Sequence, residues 1–578
     1  MNKNKKALML GLAVVLAFGS VATGCGDGTP SGHPALNEKI DPNRTQIYAF
    51  CYDGGFGVDW MIDLKYAFED LNKDKKYEEG KQGVQVVIDP KKDLLDIEEI
   101  PGNKNELFFT QNAYYYDMLR ANILADISDV VTGSLSAYGD DSSVYDKLTQ
   151  EQRAYYGVTG TDEQTHYYGI PHYSVLMQMV YNVELFDQKG YYFLDEPTGD
   201  TLEDCFVYID ENGEENGKRS AGPDGEYDTF DDGLPATYEE FFKLCDYIYQ
   251  SSDIPLTWGG KSYRGYLVSL AQTLAVDYEG AQQSMLYYKM DGSNATNLGT
   301  VTDGQFVKDT TPTAINSTNA YELFRQEGKY HALSFIEKIV KTENYHNELA
   351  FNTGHSHMDA QTDFLNAGHD GVTNESAILI DGNWWENEAT SSFNSMVDSK
   401  GDAFSKKNRK FAYMPLPKAT AEKALETANK ETKFTLNDYG FSLMYMKKNV
   451  AEWKAPLLKE FLKFCNTNKN LVNFTKITGA VKSLTYSATP QEIADMTPYA
   501  QSVLKVKAVS ETIIPSSTHA TYINNQLFFT PAESYYSTLK SGTTMQYPAE
   551  AFHEEGVDAE EYFNGIYEYF SEQWGTLR

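Results

Sequence analysis

Two hydrophobic periods, one strand-like and one helical, alternate along this chain. Residues 46–51 are a short apolar β-type run and residues 52–57 a glycine-rich turn. Residues 59–72 then carry Trp60, Leu64, Ala67, Phe68 and Leu71 at helical spacing, ahead of a second β-type run at 84–88. That order predicts a strand-turn-helix-strand unit of the α/β kind. Further strands are expected to end near 106–110 and to run over 377–380, 411–414 and 441–446, and an apolar run at 175–181 is closed by Asn182. Thr237 with Glu240 three places on predicts a capped helix with Phe241, Phe242, Leu244, Cys245 and Ile248 on one face. Residues 453–466 predict another helix, with Leu457, Leu458, Phe461, Leu462 and Cys465 inward. Residues 193–235 turn acidic and read as an insertion, and the polar stretch 291–319 is expected to be irregular.

The first residues follow neither period. Lys3, Lys5 and Lys6 are followed by an apolar run over 7–21, too short for a membrane span of about 20 residues, and then by the small residues Ala22, Thr23 and Gly24 before Cys25. This resembles a bacterial lipoprotein signal, with Ala22 a departure from the usual Leu or Val. The resemblance implies removal of residues 1–24 and a lipid (palmitate-bearing) anchor on the Cys25 thiol. Residues 25–44, rich in Gly, Pro, Asp and Asn, are read as a flexible tether.

Composition narrows the partners. A chain of 578 residues is long enough for two large lobes. Its net charge of −34 repels phosphate backbones and anionic headgroups, which argues against nucleic acid. Cys51, Cys205, Cys245 and Cys465 contain no CxxC pair, and the pairing considered is Cys205 with Cys245. Gly54, Gly55 and Gly57 do not make GxGxxG, and no HExxH, GxSxG or P-loop occurs. The 42 tyrosines and 30 phenylalanines suit stacking on sugar faces and equally suit ordinary cores.

Several ordered pieces carry a resemblance. They are Tyr168-Gly169-Ile170-Pro171, Tyr181-Asn182-Val183-Glu184-Leu185-Phe186, Pro235-Ala236-Thr237-Tyr238-Glu239-Glu240-Phe241, Ala377-Ile378-Leu379-Ile380-Asp381-Gly382-Asn383-Trp384, Met414-Pro415-Leu416-Pro417 and Glu460-Phe461-Leu462-Lys463-Phe464 ahead of Thr478-Gly479. Together they resemble the carbohydrate-type extracellular solute-binding lipoproteins of ABC importers, the maltose-binding-protein-like group. The resemblance implies an α/β, two-lobed periplasmic-binding-protein-like fold over residues 45–578, with discontinuous lobes, hinge strands and acidic loop insertions. It places a first crossover near 175–182 and a return near 384–417. It implies a monomeric, non-enzymatic receptor on the outer face of the cell membrane. Such a receptor holds a carbohydrate, in particular an oligosaccharide, in an interlobe cleft and delivers it to importer membrane subunits. Binding of a peptide or polyamine remains an alternative, as does a surface glycoside hydrolase, which needs two carboxylates across a cleft.

A sugar site needs planar aromatics for C–H faces and Asp, Asn, Gln or Arg for hydroxyls, on loops at strand ends. Tyr52 and Asp53 resemble a family position that contacts sugar hydroxyls, Asp53 being alternatively a turn-stabilising residue. Gln111 and Asn112 precede Tyr114, Tyr115 and Tyr116, of which Tyr115 is chosen and at least one is expected in the core. Asp381, Asn383 and Trp384 follow a strand where the family stacks an aromatic on sugar, with core packing as the other role for the tryptophan. Asp438 and Tyr439 lie near the hinge and either bind ligand or cap a turn. Tyr173, Trp258 and Arg264 are lesser candidates.

One loop suggests metal. Counting from Asp228, Asp232 falls at position 5, Gly233 at 6 and Glu239 at 12 of an EF-hand-like calcium loop, with Phe230 spoiling position 3 and Asp224 and Asp231 available in its place. Structural calcium and a solvated acidic loop are both open readings, and no other cofactor is expected. His355-Ser356-His357 is read as a polar loop.

Overall fold

The computed structural model describes residues 33–111, 114–210, 212–367, 374–439, 442–529, 536–540 and 544–577. The signal segment, Cys25 and Asn112 lie outside them. Among the described residues no helix is long and apolar enough to cross a membrane.

The chain builds two compact α/β units. One comprises the described residues up to Ser174 with Gly440–Met496, the other Val175–Tyr439 with those from Thr497 on. The chain thus passes between units at 174/175, 439/440 and 496/497. The return expected near 384–417 is corrected to 439/440. Its segment stays in one unit because the strand Phe411–Met414 pairs antiparallel with Met177–Asn182 in that unit's sheet.

In the first unit, Thr45–Tyr52 is the second strand of a five-stranded sheet. It pairs parallel with Val84–Lys91 and with Leu107–Thr110, which is followed by Leu443–Met446 and Ile170–Pro171 as antiparallel neighbours. The helix Asp59–Leu71 buries Trp60, Met61, Leu64 and Phe68, and Phe68 meets Phe461 edge-on at 5.0 Å. The supposed tether is docked at its end. Pro34–Asn37 forms a helical turn with Ala35 buried, and Glu38 pairs with the buried Lys65 at 2.8 Å.

In the second unit, Met177–Asn182 is buried at every position and lies between Phe411–Met414 and Ser376–Gly382, the latter pairing parallel with Ile254–Thr257. Helix Gly265–Ser284 is buried along most of its length. The acidic insertion is anchored by its aromatics, Phe206 stacking on Tyr247 at 4.1 Å and on Phe193 at 4.4 Å. The stretch 291–319, expected to be irregular, forms two ladders: Asp291–Ala295 with Thr313–Asn316, and Gly299–Thr302 with Gln305–Lys308. Asp303 (φ 53°) and Gly304 (φ 72°) make the turn of the inner hairpin, an Asp-Gly signal that the polar composition concealed. Cys51, Cys205, Cys245 and Cys465 are free thiols, so Cys205 and Cys245 are not joined.

The first unit buries a pair of bases. Lys482 Nζ lies 2.7 Å from His172 Nδ1, 4.0 Å from the centre of the Phe474 ring and 4.9 Å from that of Trp60. Two nitrogens at this distance cannot both be charged. Burial pushes the Lys482 ammonium down to about 7 against the raising influence of Cys465 and Cys51, and burial followed by the Lys482 charge drives His172 well below its ordinary range. The unfolded chain binds the Lys482 proton up to its ordinary pKa, so the penalty is full below pH 7 and fades as pH rises toward 10. Lys482→Met is therefore expected to raise the melting temperature more at pH 6 than at pH 9. An equal effect at both values would remove Lys482 as the source.

Candidate functional site

In the first unit the predicted residues cluster at strand ends. The Tyr52 ring folds back over Gly54, where a Cβ would stand 2.3 Å from it, so the turn needs glycine there. The Asp53 N–H donates to Lys91 O at 2.8 Å, and its half-buried carboxyl is raised by burial, lowered by Lys92 and raised by Asp59. Gln111 Oε1 accepts from the Tyr173 hydroxyl at 3.2 Å. Tyr115 is corrected to a core residue: it is 1% exposed, and its hydroxyl donates to Tyr156 O at 2.8 Å.

In the second unit the strand Ser376–Gly382 delivers Asp381, Asn383 and Trp384 to one place. Gly382 lets the Trp384 ring fold back across the backbone, since a Cβ there would sit 2.1 Å from the indole. Trp384 is 9% exposed and meets Tyr266 edge-on at 6.0 Å. Trp385 is fully buried among Phe364, Phe411 and Tyr499, with ring centres 5.3 to 5.6 Å away.

Asn383 and Asp438 are spent on backbone. Asn383 Oδ1 accepts from the Leu176 N–H at 3.2 Å while its own N–H donates to Leu176 O at 2.9 Å. Asp438 Oδ1 accepts from the Val175 N–H at 2.9 Å, and the Tyr439 N–H donates to Val175 O. These bonds clamp the segment by which the chain enters this unit. Buried amides need such partners, and a short acceptor side chain supplies them.

Around Trp384 the fold assembles residues that sequence reasoning missed. Gln361 Nε2 donates both to Asp381 Oδ2 at 2.9 Å and to Glu388 Oε2 at 2.8 Å, and Glu388 Oε1 lies 3.2 Å from His357 Nε2. Tyr263 packs on His357 with ring centres 4.6 Å apart and on Tyr266 at 5.9 Å. The histidine stretch is not a loop: Ser356 and Asp359 form a capping box that opens the helix His357–Asn366, a signal present in the sequence. Burial, then the Glu388 charge, pushes the Asp381 carboxyl up to about 7, opposed by Gln361 and His357. His357 is raised despite its burial, by the Glu388 hydrogen bond and charge and by Asp381. The arrangement offers aromatic faces beside hydrogen-bonded carboxylates, the two elements that a sugar requires.

Among the described residues no group of three or more His, Cys, Asp or Glu is placed to hold a metal. Asp231 and Asp232 instead accept from local donors: Asp224 N–H and Thr229 Oγ1 for Asp231, Asp228 and Thr229 N–H for Asp232. Glu239 faces outward and pairs with Lys243 at 2.9 Å. Asp231, fully buried against Asp224, is pushed up to about 7 by burial and by that neighbour's charge.

Trp385→Ala is expected to cost about 3 to 5 kcal/mol of stability by emptying a core site; a loss below about 1 kcal/mol in denaturant titrations would contradict that placement. Asp381 holds its proton in the folded state above the ordinary carboxylate range. Its contribution is therefore fully present below the ordinary carboxylate range and is lost as pH rises from there to about 7. Asp381→Asn should raise stability more at pH 8 than at pH 5, read by thermal melts at both values.

No family model matches this sequence, and no curated protein matches it. Solved structures do. A chitin oligosaccharide binding protein superposes with a TM-score of 0.52 at 12% identity, over 92% of this chain and all of that one. Maltose-bound MalE3 of T. maritima gives 0.51 at 12% identity, over 91% of this chain and 98% of its own. With the two discontinuous α/β units, these likenesses show that the chain has the two-lobed fold of those binding proteins.

Proposed function

We propose that this protein is an extracellular, lipid-anchored solute-binding receptor that captures a carbohydrate, in particular an oligosaccharide, and passes it to an ABC importer. The observation that carries the reading is the patch of Trp384, Tyr266 and Tyr263 beside Glu388, Gln361 and His357, on a fold that also serves the chitin oligosaccharide and maltose binding proteins. Planar rings take the C–H faces of a sugar and the polar groups take its hydroxyls. The work is affinity, with no bond broken and no catalytic residue assigned. The signal-like sequence before Cys25 supports anchoring by a lipid on that residue. Tyr52, Asp53 and Gln111 are the contributions proposed from the first unit.

A thermal-shift screen of residues 33–578 against oligosaccharides tests this, because a ligand at a hundredfold excess over its Kd stabilises the folded state by about 2.7 kcal/mol. A shift with one class of sugar is expected, and Trp384→Ala should weaken that binding by about 1 kcal/mol or more. Silence across all sugars would overturn the reading.

A further inference from the structure

We propose that residues 33–41 are a clasp that shortens the leash between the lipid on Cys25 and the first unit, and so holds the edge formed by Pro34–Asn37 and the helix Asp59–Leu71 close to the bilayer surface. This rests on the lipid anchoring in the solute-binding reading, and adds the distance and the face that such an anchor imposes. Counted along the sequence, 20 residues lead from Cys25 to the first strand at Thr45. An extended chain spans about 3.4 Å per residue, so that length alone would allow a reach of roughly 68 Å. The structure takes up more than half of it.

Pro34 opens a helical turn whose Ala35 is 5% exposed. Glu38 then reaches Lys65, a side chain only 1% exposed, at 2.8 Å, and its other carboxylate oxygen accepts from the Tyr66 hydroxyl at 2.8 Å. The buried Gln85 amide is occupied at both ends by the same segment: its Nε2 donates to Lys39 O at 3.0 Å, and its Oε1 accepts from the Asp41 N–H at 2.9 Å. Asp41 O in turn accepts from Gln46 Nε2 on the first strand at 2.6 Å. Buried polar groups of the unit are thus completed by the segment, which docks as part of the fold. Eight residues remain from Cys25 to His33, and the reach falls to roughly 27 Å. A body held on so short a leash stays near a membrane-bound partner, which raises the effective concentration of each for the other.

The experiment places the full-length lipoprotein in liposomes, with a donor dye on Lys73→Cys, just past the end of the helix Asp59–Leu71, and acceptor dyes on the lipid headgroups. Two variants lengthen the leash. Ala35→Asp with Glu38→Lys puts a carboxylate in the apolar seat and a like charge beside Lys65, and undocks the segment; a Gly/Ser insertion as long as residues 33–44, placed between residues 32 and 33, leaves the docking untouched. Both are expected to lose energy transfer to the same extent, with intact thermal melts. Hydrogen exchange at the Asp41 amide is expected to be slow in the parent and in the insertion variant, and fast in the undocked one. Transfer lowered by the insertion but unchanged by undocking overturns the clasp and leaves the anchor standing, as does an Asp41 amide that exchanges freely in the parent protein. Transfer unchanged by either variant overturns the leash. A Cys25 that carries no lipid by mass spectrometry overturns the anchoring itself, and the leash with it, and leaves carbohydrate capture to its own test.

Discussion

The second unit depends on satisfying the backbone of one buried strand. Met177–Asn182 has a ladder partner on each side and no exposed position. Just before it, Val175 and Leu176 carry polar amides into the same interior, at the point where the chain arrives from the other unit. An unpaired buried amide costs about 1 to 3 kcal/mol. Asn383 and Asp438 meet that demand from two distant parts of the sequence. The clamp also fixes the start of the turn that carries Trp384, because the residue that grips Leu176 is its immediate neighbour. Packing and site geometry are therefore set by one set of hydrogen bonds.

Both units bury titratable groups away from their ordinary states. In the second, Asp231, Glu279, Asp381 and Glu386 are each pushed up to about 7, mainly by burial, and hold protons that water would have taken. Acid favours these four contributions, whereas alkali favours those of Lys329, Lys418 and Lys507 in the same unit, whose ammonium groups burial pushes down. In the first, Lys482 is pushed down by burial and its proton is the costly one, so alkali favours that fold.

Strongly perturbed groups also gather at binding sites. The Asp381 and His357 values are both raised, and His357 packs on the half-buried Tyr263 ring. Lys482 and His172 are equally perturbed but sealed by Trp60 and Phe474, so their role is in the core. Access and ring faces, more than the size of a shift, separate a site from a strained interior.

The sequence by itself determined the α/β class, the strand-turn-helix-strand opening, the capped helix at Thr237 and the amphipathic helix of Leu457 to Cys465. Each is a short-range pattern whose period is written in neighbouring residues. It also singled out Trp384, because a strand end followed by Asp-Gly-Asn-Trp is a local arrangement. It did not reveal that Trp385 is fully buried while Trp384 keeps 9% of its surface, that Tyr115 is buried, or that Asn383 and Asp438 grip the backbone at 175–176. Nor did it place Gln361, Glu388 and Tyr263 beside one another. Those facts belong to residues brought together from segments up to 263 positions apart, as in the bond between Asp438 and Val175. A side chain's partner at such a separation is chosen by the packing of sheets and helices, and only the tertiary structure contains that choice.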